Sequence, residues 1–269
     1  TSATATTAAL NLRNNIIVNT STPAGTGFTV AYRRSSTTLT NFVATSNNND
    51  FYASATTASP YFIFYDGTTG YQIAGYKTLV SPRDAASVSE DPVFQSIVGS
   101  NANFLKYDVS NPKQIESGAV NVATFTDDYI GTIRQGNGGY AGTGTAPDMG
   151  AWELEGIAAD LTGPAISYTA LANTLCTTAP TLSSVTITDA SGVNITAGTR
   201  PRMYYRKGTN TNVWNDNTNA TDGWKYVEAT GVGGSPFSFT PDFTLLNGGV
   251  PVAGDVIHYF VVAQDNAGT

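Results

Sequence analysis

Trp214 and Trp224 flank a polar loop, Asn215 to Gly223, and indole rings held in this way can stack on sugar rings. Tyr71 and Tyr76 offer the same chemistry in the first half of the chain. For all four rings the competing use is core packing or loop anchoring. A second chemistry is hard-cation binding, in which calcium takes several carboxylate, amide or carbonyl oxygens. Asp189 follows one apolar segment and Asp265-Asn266 follows another. If the two segments are strands B and F of a sandwich, both loops emerge at one end, and Asp189, Asp265 and Asn266 form a calcium site there. Two Asx turns would satisfy the same residues without an ion. The run from Asp216 is not an EF-hand loop, because Thr218 and Ala220 stand where its third and fifth positions need Asp or Asn.

Glycoside hydrolysis needs two carboxyl groups about 5–10 Å apart across the bond. The close acidic pairs are Glu90-Asp91, Asp127-Asp128 and Glu153 with Glu155; Asp127-Asp128, in an expected loop, is the best of them, and none carries a lyase or hydrolase signature. No catalytic residue is therefore assigned. His258 is the only histidine and lies in an alternation of Val and Phe, where a hydrogen-bonded packing role is expected. With no nucleophile elbow in the chain, Ser-His-Asp catalysis is excluded. The single cysteine, Cys176, rules out an internal disulfide and a zinc site of paired thiols, and is expected to be a small buried apolar residue.

The elements that must position these residues are strands. Of 269 residues only 12% are charged, 11% are aromatic, and Thr, Asn, Ser and Gly recur as turn formers, so an all-β protein is expected. The length allows two cores. The net charge of −7, with 13 scattered Lys and Arg, argues against nucleic acid and anionic membrane surfaces as partners; Arg33-Arg34 and Arg206-Lys207 are expected to be solvated strand ends. No run approaches the ~20 apolar residues of a membrane span. The chain opens at Thr1 without Met and stops just after a strand-like run, so it is expected to be a piece of a longer protein.

Up to Glu153 the strand-like segments recur irregularly. Leu10, Leu12, Asn14, Ile16 and Val18 alternate, which predicts one strand with an inward Asn14 that hydrogen-bonds a neighbouring coil. Tyr61 to Tyr65 is continuously apolar and predicts a strand covered on both sides. After a joint from Leu154 to Pro164, strands are predicted at Ala165–Tyr168, Leu182–Thr188, Arg202–Lys207, Trp224–Ala229, Pro236–Thr240 and Val256–Gln264, with a weaker one near Val213. Apolar residues on both faces of the Val256–Gln264 segment predict a central strand.

Three motifs carry a resemblance. Asn11 to Asn19 resembles a coil of right-handed parallel β-helix (pectate-lyase-like) proteins, Asp84-Ala-Ala-Ser87 with Asp91 to Phe94 resembles their late coils, and Pro147 to Glu153 resembles their closing strand, especially in large secreted Bacteroidetes surface proteins. Ser184 to Gly192, Met203 to Lys207 and Gly254 to Gly268 resemble the immunoglobulin- or fibronectin-type modules appended to such proteins. The resemblance implies C-terminal coils and a cap over residues 1–156, then an immunoglobulin-like β-sandwich over 164–269. It also implies a cell-surface or extracellular location and export by the type IX pathway. The function it implies is a non-catalytic adhesion or structural segment whose partners are polysaccharide, other surface components and neighbouring domains of a longer chain. The alternative it leaves open is the accessory end of a polysaccharide lyase or glycoside hydrolase with its active site upstream.

Overall fold

A computed structural model describes residues 8–174, 178–230 and 233–268. Cys176 lies outside the described residues. The protein is built mostly of strands in small sheets, with one α-helix among the described residues, and divides into two compact units, one ending at Ala159 and one beginning at Asp160.

The first unit contains β1 (Ile16–Val18), β2 (Thr29–Arg33), β3 (Asp50–Tyr52), β4 (Tyr61–Tyr65), β5 (Gly70–Tyr71), α1 (Ile73–Val80), β6 (Pro112–Lys113) and β7 (Ile157–Ala158). Its longer-range pairings are parallel: β1 with β3, β2 with β4, and β6 with β7. Isolated parallel bridges add Leu10 to Phe42, Arg13 to Asn47 and Asp50 to Val88. Parallel neighbours need long connections, and here equivalent residues of successive passes are 32 to 38 apart, as in Thr29 and Tyr61, Ile16 and Asp50, and Asp50 and Val88. One pass contains more than one short strand, which is why the strand-like segments recur more often than the passes themselves.

Side chains tie the passes together. Asn49 is fully buried; its Oδ1 accepts from Asn15 N (3.0 Å) and Nδ2 (2.9 Å), and its Nδ2 donates to Leu12 O (3.0 Å) and Asp84 Oδ1 (2.8 Å). Ser87 Oγ and Tyr76 Oη donate to the two oxygens of Asp84. The inter-pass asparagines are therefore Asn15 and Asn49. Asn14 departs from the expectation: it adopts φ 60° and bonds both backbone groups of Val120. Its left-handed backbone shifts the phase of the alternation, so Ile17, and not Ile16, joins Leu10 and Leu12 against the aromatic core of Tyr32, Phe42, Phe51, Phe64 and Tyr76. β4 lies between β2 and β5. The helix α1 was not expected, although Ile73, Tyr76 and Val80 fall at helical spacing and the last two are buried. Residues 147–153 form no strand; Pro147, Asp148, Met149, Trp152 and Glu153 are buried in a segment that bends at residues 149–151, and the terminal pairing is β6 with β7.

The second unit contains β8 (Ala165–Ser167), β9 (Leu182–Thr188), β10 (Arg202–Lys207), β11 (Lys225–Glu228), β12 (Phe237–Phe239) and β13 (Ile257–Val262). They form two antiparallel three-stranded sheets, β12-β9-β8 and β11-β10-β13. Leu182, Val185, Ile187, Met203, Phe237, Phe239 and Val261 pack between them as one core. β13 is an edge strand rather than a central one, and its second apolar face, with His258, Phe260 and Val262, is exposed. His258 accordingly has no packing role. The basic pairs also differ from expectation. Arg34 is buried against Phe42 and bonds Thr38 O and Asn41 Oδ1, and Lys207 is buried beside Asp255 at 3.2 Å.

Candidate ligand-binding face

Strand alternation sends Met203 and Tyr205 of β10 into the core, which leaves Arg202, Tyr204 and Arg206 on the outside of the sheet. Tyr204 stands directly opposite Tyr226 on β11 and Phe260 on β13, so three rings form one row across all three strands. Tyr204 stacks on Phe260 with centroids 5.4 Å apart and planes 10° apart, and meets Tyr226 at 5.6 Å. Trp214 packs against both tyrosines at 5.6 Å and remains 49% exposed; Trp224 lies edge-on to Phe260 at 4.8 Å, and Phe260 is 39% exposed. Five aromatic side chains thus share one outer face. Soluble proteins seldom leave such a patch open without a use.

The loop between β10 and β11 holds the tryptophans in place. Asn217 bonds both backbone groups of Tyr226, acting as a substitute strand at the edge of β11. Asp216 accepts from Thr218 and Thr221, which holds its carboxyl down at about 2, and the buried Lys225 donates to Asp216 O and Thr221 Oγ1 at 3.0 Å. Gly223 has φ 106°, and a Cβ there would lie 2.2 Å from Val213 O, so only glycine lets Trp224 N reach Val213 O at 2.9 Å. That bond brings Val213 beside Trp224, although no strand forms at Val213. The Trp224 indole N–H is taken by Asn212 Oδ1. Arg202 lies 4.3 Å over Tyr226 and Arg206 4.9 Å over Trp224.

The tyrosines named from the sequence divide differently. Tyr76 is fully buried among Tyr32, Phe51 and Phe64, so it presents no ring to a sugar; this corrects the expectation, and the reason is the unforeseen helix that turns it inward. Tyr71 is half-buried against Phe64, with its hydroxyl on Asp66.

At one end of the same unit, carboxylate oxygens of Asp160, Asp189 and Asp265 lie within 4.8 Å of one another. Asn194 N to Gln264 O and Asn266 N to Gly192 O join the two loops that carry Asp189 and Asp265. Three carboxylates so placed could hold a metal ion, and Asp189 Oδ1 also accepts from Ser191 N and Oγ at 2.8 Å, the Asx turn that needs no ion. Asn266 uses its amide to bond Ser191 O. Asp160 was not foreseen, since it opens the second unit ahead of its first strand and no spacing links it to the other two. Thr162 and Ser191 hold its carboxyl below the usual range by hydrogen bonds.

The other acidic pairs serve the backbone of the first unit. Asp128 accepts from the amides of Ile130, Thr132 and Glu153; Glu153 pairs with Arg134 at 3.4 Å; Glu90 pairs with Lys113 at 3.5 Å. Asp127 is exposed at a cleft of about 510 Å³ that Asn11, Arg13 and Tyr129 also line. Tyr107 Oη contacts both Glu116 Oε2 (2.7 Å) and Asp148 Oδ2 (2.6 Å), all buried. Burial pushes the Asp148 carboxyl up to about 7, against the hydrogen bonds from Tyr107, Leu154 and Ser117 that favour its charged form.

In comparisons with family models, with curated proteins and with solved structures, the chain matches none of them.

Proposed function

We propose that the chain is a non-catalytic adhesive segment of a cell-surface protein, and that it holds polysaccharide on the aromatic face of β11-β10-β13. The observation that carries this reading is the cross-strand row Tyr226, Tyr204 and Phe260 with Trp214 and Trp224 at its flanks. A sugar ring has apolar C–H faces and a polar rim, and a cluster of five rings set at varied angles and bordered by Arg and His side chains offers contacts to both. In the same reading the parallel passes of the first unit are the end of a right-handed β-helix and the second unit is an immunoglobulin-like module; the parallel pairings and the shared core of two facing sheets support this.

Affinity electrophoresis through gels containing pectin, xylan, alginate or a soluble cellulose derivative tests the proposal. At least one polymer is expected to retard the chain. Trp214→Ala combined with Tyr226→Ala is expected to weaken that retention about thirtyfold, the loss of an anchoring aromatic contact of roughly 2 kcal/mol. Free migration in every gel, or retention untouched by the double substitution, would contradict it.

Calcium belongs to the same reading, as a brace at Asp160, Asp189 and Asp265. A millimolar excess of calcium over a chelator-treated sample is expected to raise the melting temperature of the second unit by several degrees, about 3 kcal/mol of linkage at a hundredfold excess over Kd. Asp265→Asn should remove the difference. Identical melting in calcium and in excess EDTA would sink the idea.

A further inference from the structure

We infer that the aromatic face is selective for anionic polysaccharides, carboxylated or sulfated, over neutral ones. This deepens the reading of that face as a polysaccharide surface and rests on it. The chain carries a net charge of −7, yet this face gathers Arg200, Arg202, Arg206 and His258 around its rings, with Glu228 as the carboxylate paired there. Glu228 is shared between Arg200 at 3.5 Å and Arg202 at 3.2 Å, so it leaves that corner with one surplus positive charge.

On the other side of the row, two residues further along β10, stands a second surplus cation, Arg206. Arg206 pairs with no carboxylate among the described residues. Its Nη1 is fixed by the carbonyls of Lys207 (3.1 Å) and Asn210 (2.7 Å), with Gly208 O at 3.5 Å, while its Nη2 makes no hydrogen bond among the described residues. His258 stands opposite Arg206 on β13 and is exposed. A guanidinium anchored on one side, stacked on Trp224 and open on the other is arranged to donate to an anionic group.

Arg202 and Arg206 are four residues apart on one extended strand, about 13 Å, with Tyr204 between them. A polymer lying along β10 would therefore rest a sugar ring on the aromatic row while charged groups on flanking residues reach a cation at either end. A neutral polymer would use the rings alone and leave the surplus charge facing water.

Isothermal titration of the full chain with polygalacturonate, with its fully methyl-esterified form and with a sulfated galactan, at low and at high salt, separates the sources. The expected result is tighter binding of at least one of the two anionic polymers than of the esterified one, by about tenfold, with the preference shrinking as salt screens the charges. Arg206→Gln should lower affinity for the anionic polymer about five- to tenfold and leave the esterified one nearly unaffected. Because Arg206 also fixes its own loop, Val262→Glu provides a second variant that removes no contact of that loop; it should weaken anionic binding alone. Equal affinity for charged and esterified polymer, insensitive to salt and to both substitutions, would overturn the inference while leaving a neutral polysaccharide face standing. No heat of binding with any polymer, the electrophoretic panel included, would overturn the face and the inference together.

Discussion

Replacing Asn49 with alanine is expected to remove a large share of the stability of the first unit. The substitution strips one side chain that serves Asn15 N, Asn15 Nδ2, Leu12 O and the Asp84 carboxylate, all in part-buried or buried positions. Each buried group left without its partner costs about 1–3 kcal/mol, and charged ones more. Leu12 O keeps Asn47 N, Asp84 keeps Ser87 Oγ and Tyr76 Oη, and Asn15 Nδ2 keeps Arg13 O. The loss therefore falls mainly on Asn15 N and the Asp84 contact, together roughly 3 kcal/mol against the 5–15 kcal/mol that stabilises a whole domain. Urea unfolding followed through amide exchange of residues 10–88 reads the effect. Asn49→Asp is the sharper companion, because it sets a second carboxylate against Asp84 and should be worse at neutral pH than in acid. If either variant unfolds at the wild-type urea midpoint, the asparagine ladder is not what holds successive passes together.

The second large effect is a fall in stability of the same unit as pH rises. Burial pushes Asp50 up to about 8, with Glu90 and Asp91 adding repulsion that the Glu90 amide and Lys113 only partly offset. Burial likewise raises Asp148 to about 7. Both carboxyls keep a proton in the folded unit at pH values where the unfolded chain, with Asp near 3.9, has lost it. The folded form therefore binds more protons through this window. Their contribution is fully present below the unfolded value and is lost as pH rises through about 7 and then about 8. At about 1.4 kcal/mol per pH unit the loss is on the order of several kcal/mol for each group, a drop in melting temperature of about 10 °C or more between pH 5 and pH 9. Asp50→Asn supplies a neutral side chain at the same place and should flatten the upper part of that decline. A melting temperature that climbs from pH 5 to pH 9 would show that these carboxyls ionise without cost.

How much of this could be read in advance depended on how local the cause was. In the second unit each strand was legible from its own alternation, and Leu182–Thr188 and Arg202–Lys207 appear at the expected residues. The first unit was less legible because its strands are short and its order comes from contacts 32 or more residues apart. A single left-handed residue, Asn14, moved the ladder to Asn15, and no local pattern announces such a phase shift. α1 was overlooked for a different reason, since its helical spacing lies next to a strongly strand-like run.

The binding face shows the same division. Trp214 and Trp224 were visible as a pair around their loop, but Tyr204, Tyr226 and Phe260 join them only through strand register, which sequence spacing does not contain. The apolar outer positions of β13 were read as a second buried face. They are exposed, and Phe260 among them joins the aromatic row; an edge strand with apolar residues on both sides is the signal that separates the two readings. Asp189 and Asp265 were likewise foreseen at one end of the sandwich, whereas Asp160 opens the second unit ahead of its first strand and could be found only by folding the chain.

The most direct test of the account is a tryptophan fluorescence titration with whichever polymer retards the chain. The protein has three tryptophans: Trp214 and Trp224 on the aromatic face, and Trp152, buried in the first unit with its N–H on Phe104 O. The account predicts a saturable change in emission that survives Trp152→Phe and disappears in the chain carrying both Trp214→Phe and Trp224→Phe, where the rings still allow binding but no longer report it. A change that persists in that double variant, or that vanishes with Trp152→Phe, would put the polymer elsewhere on the molecule and contradict the assignment of the face.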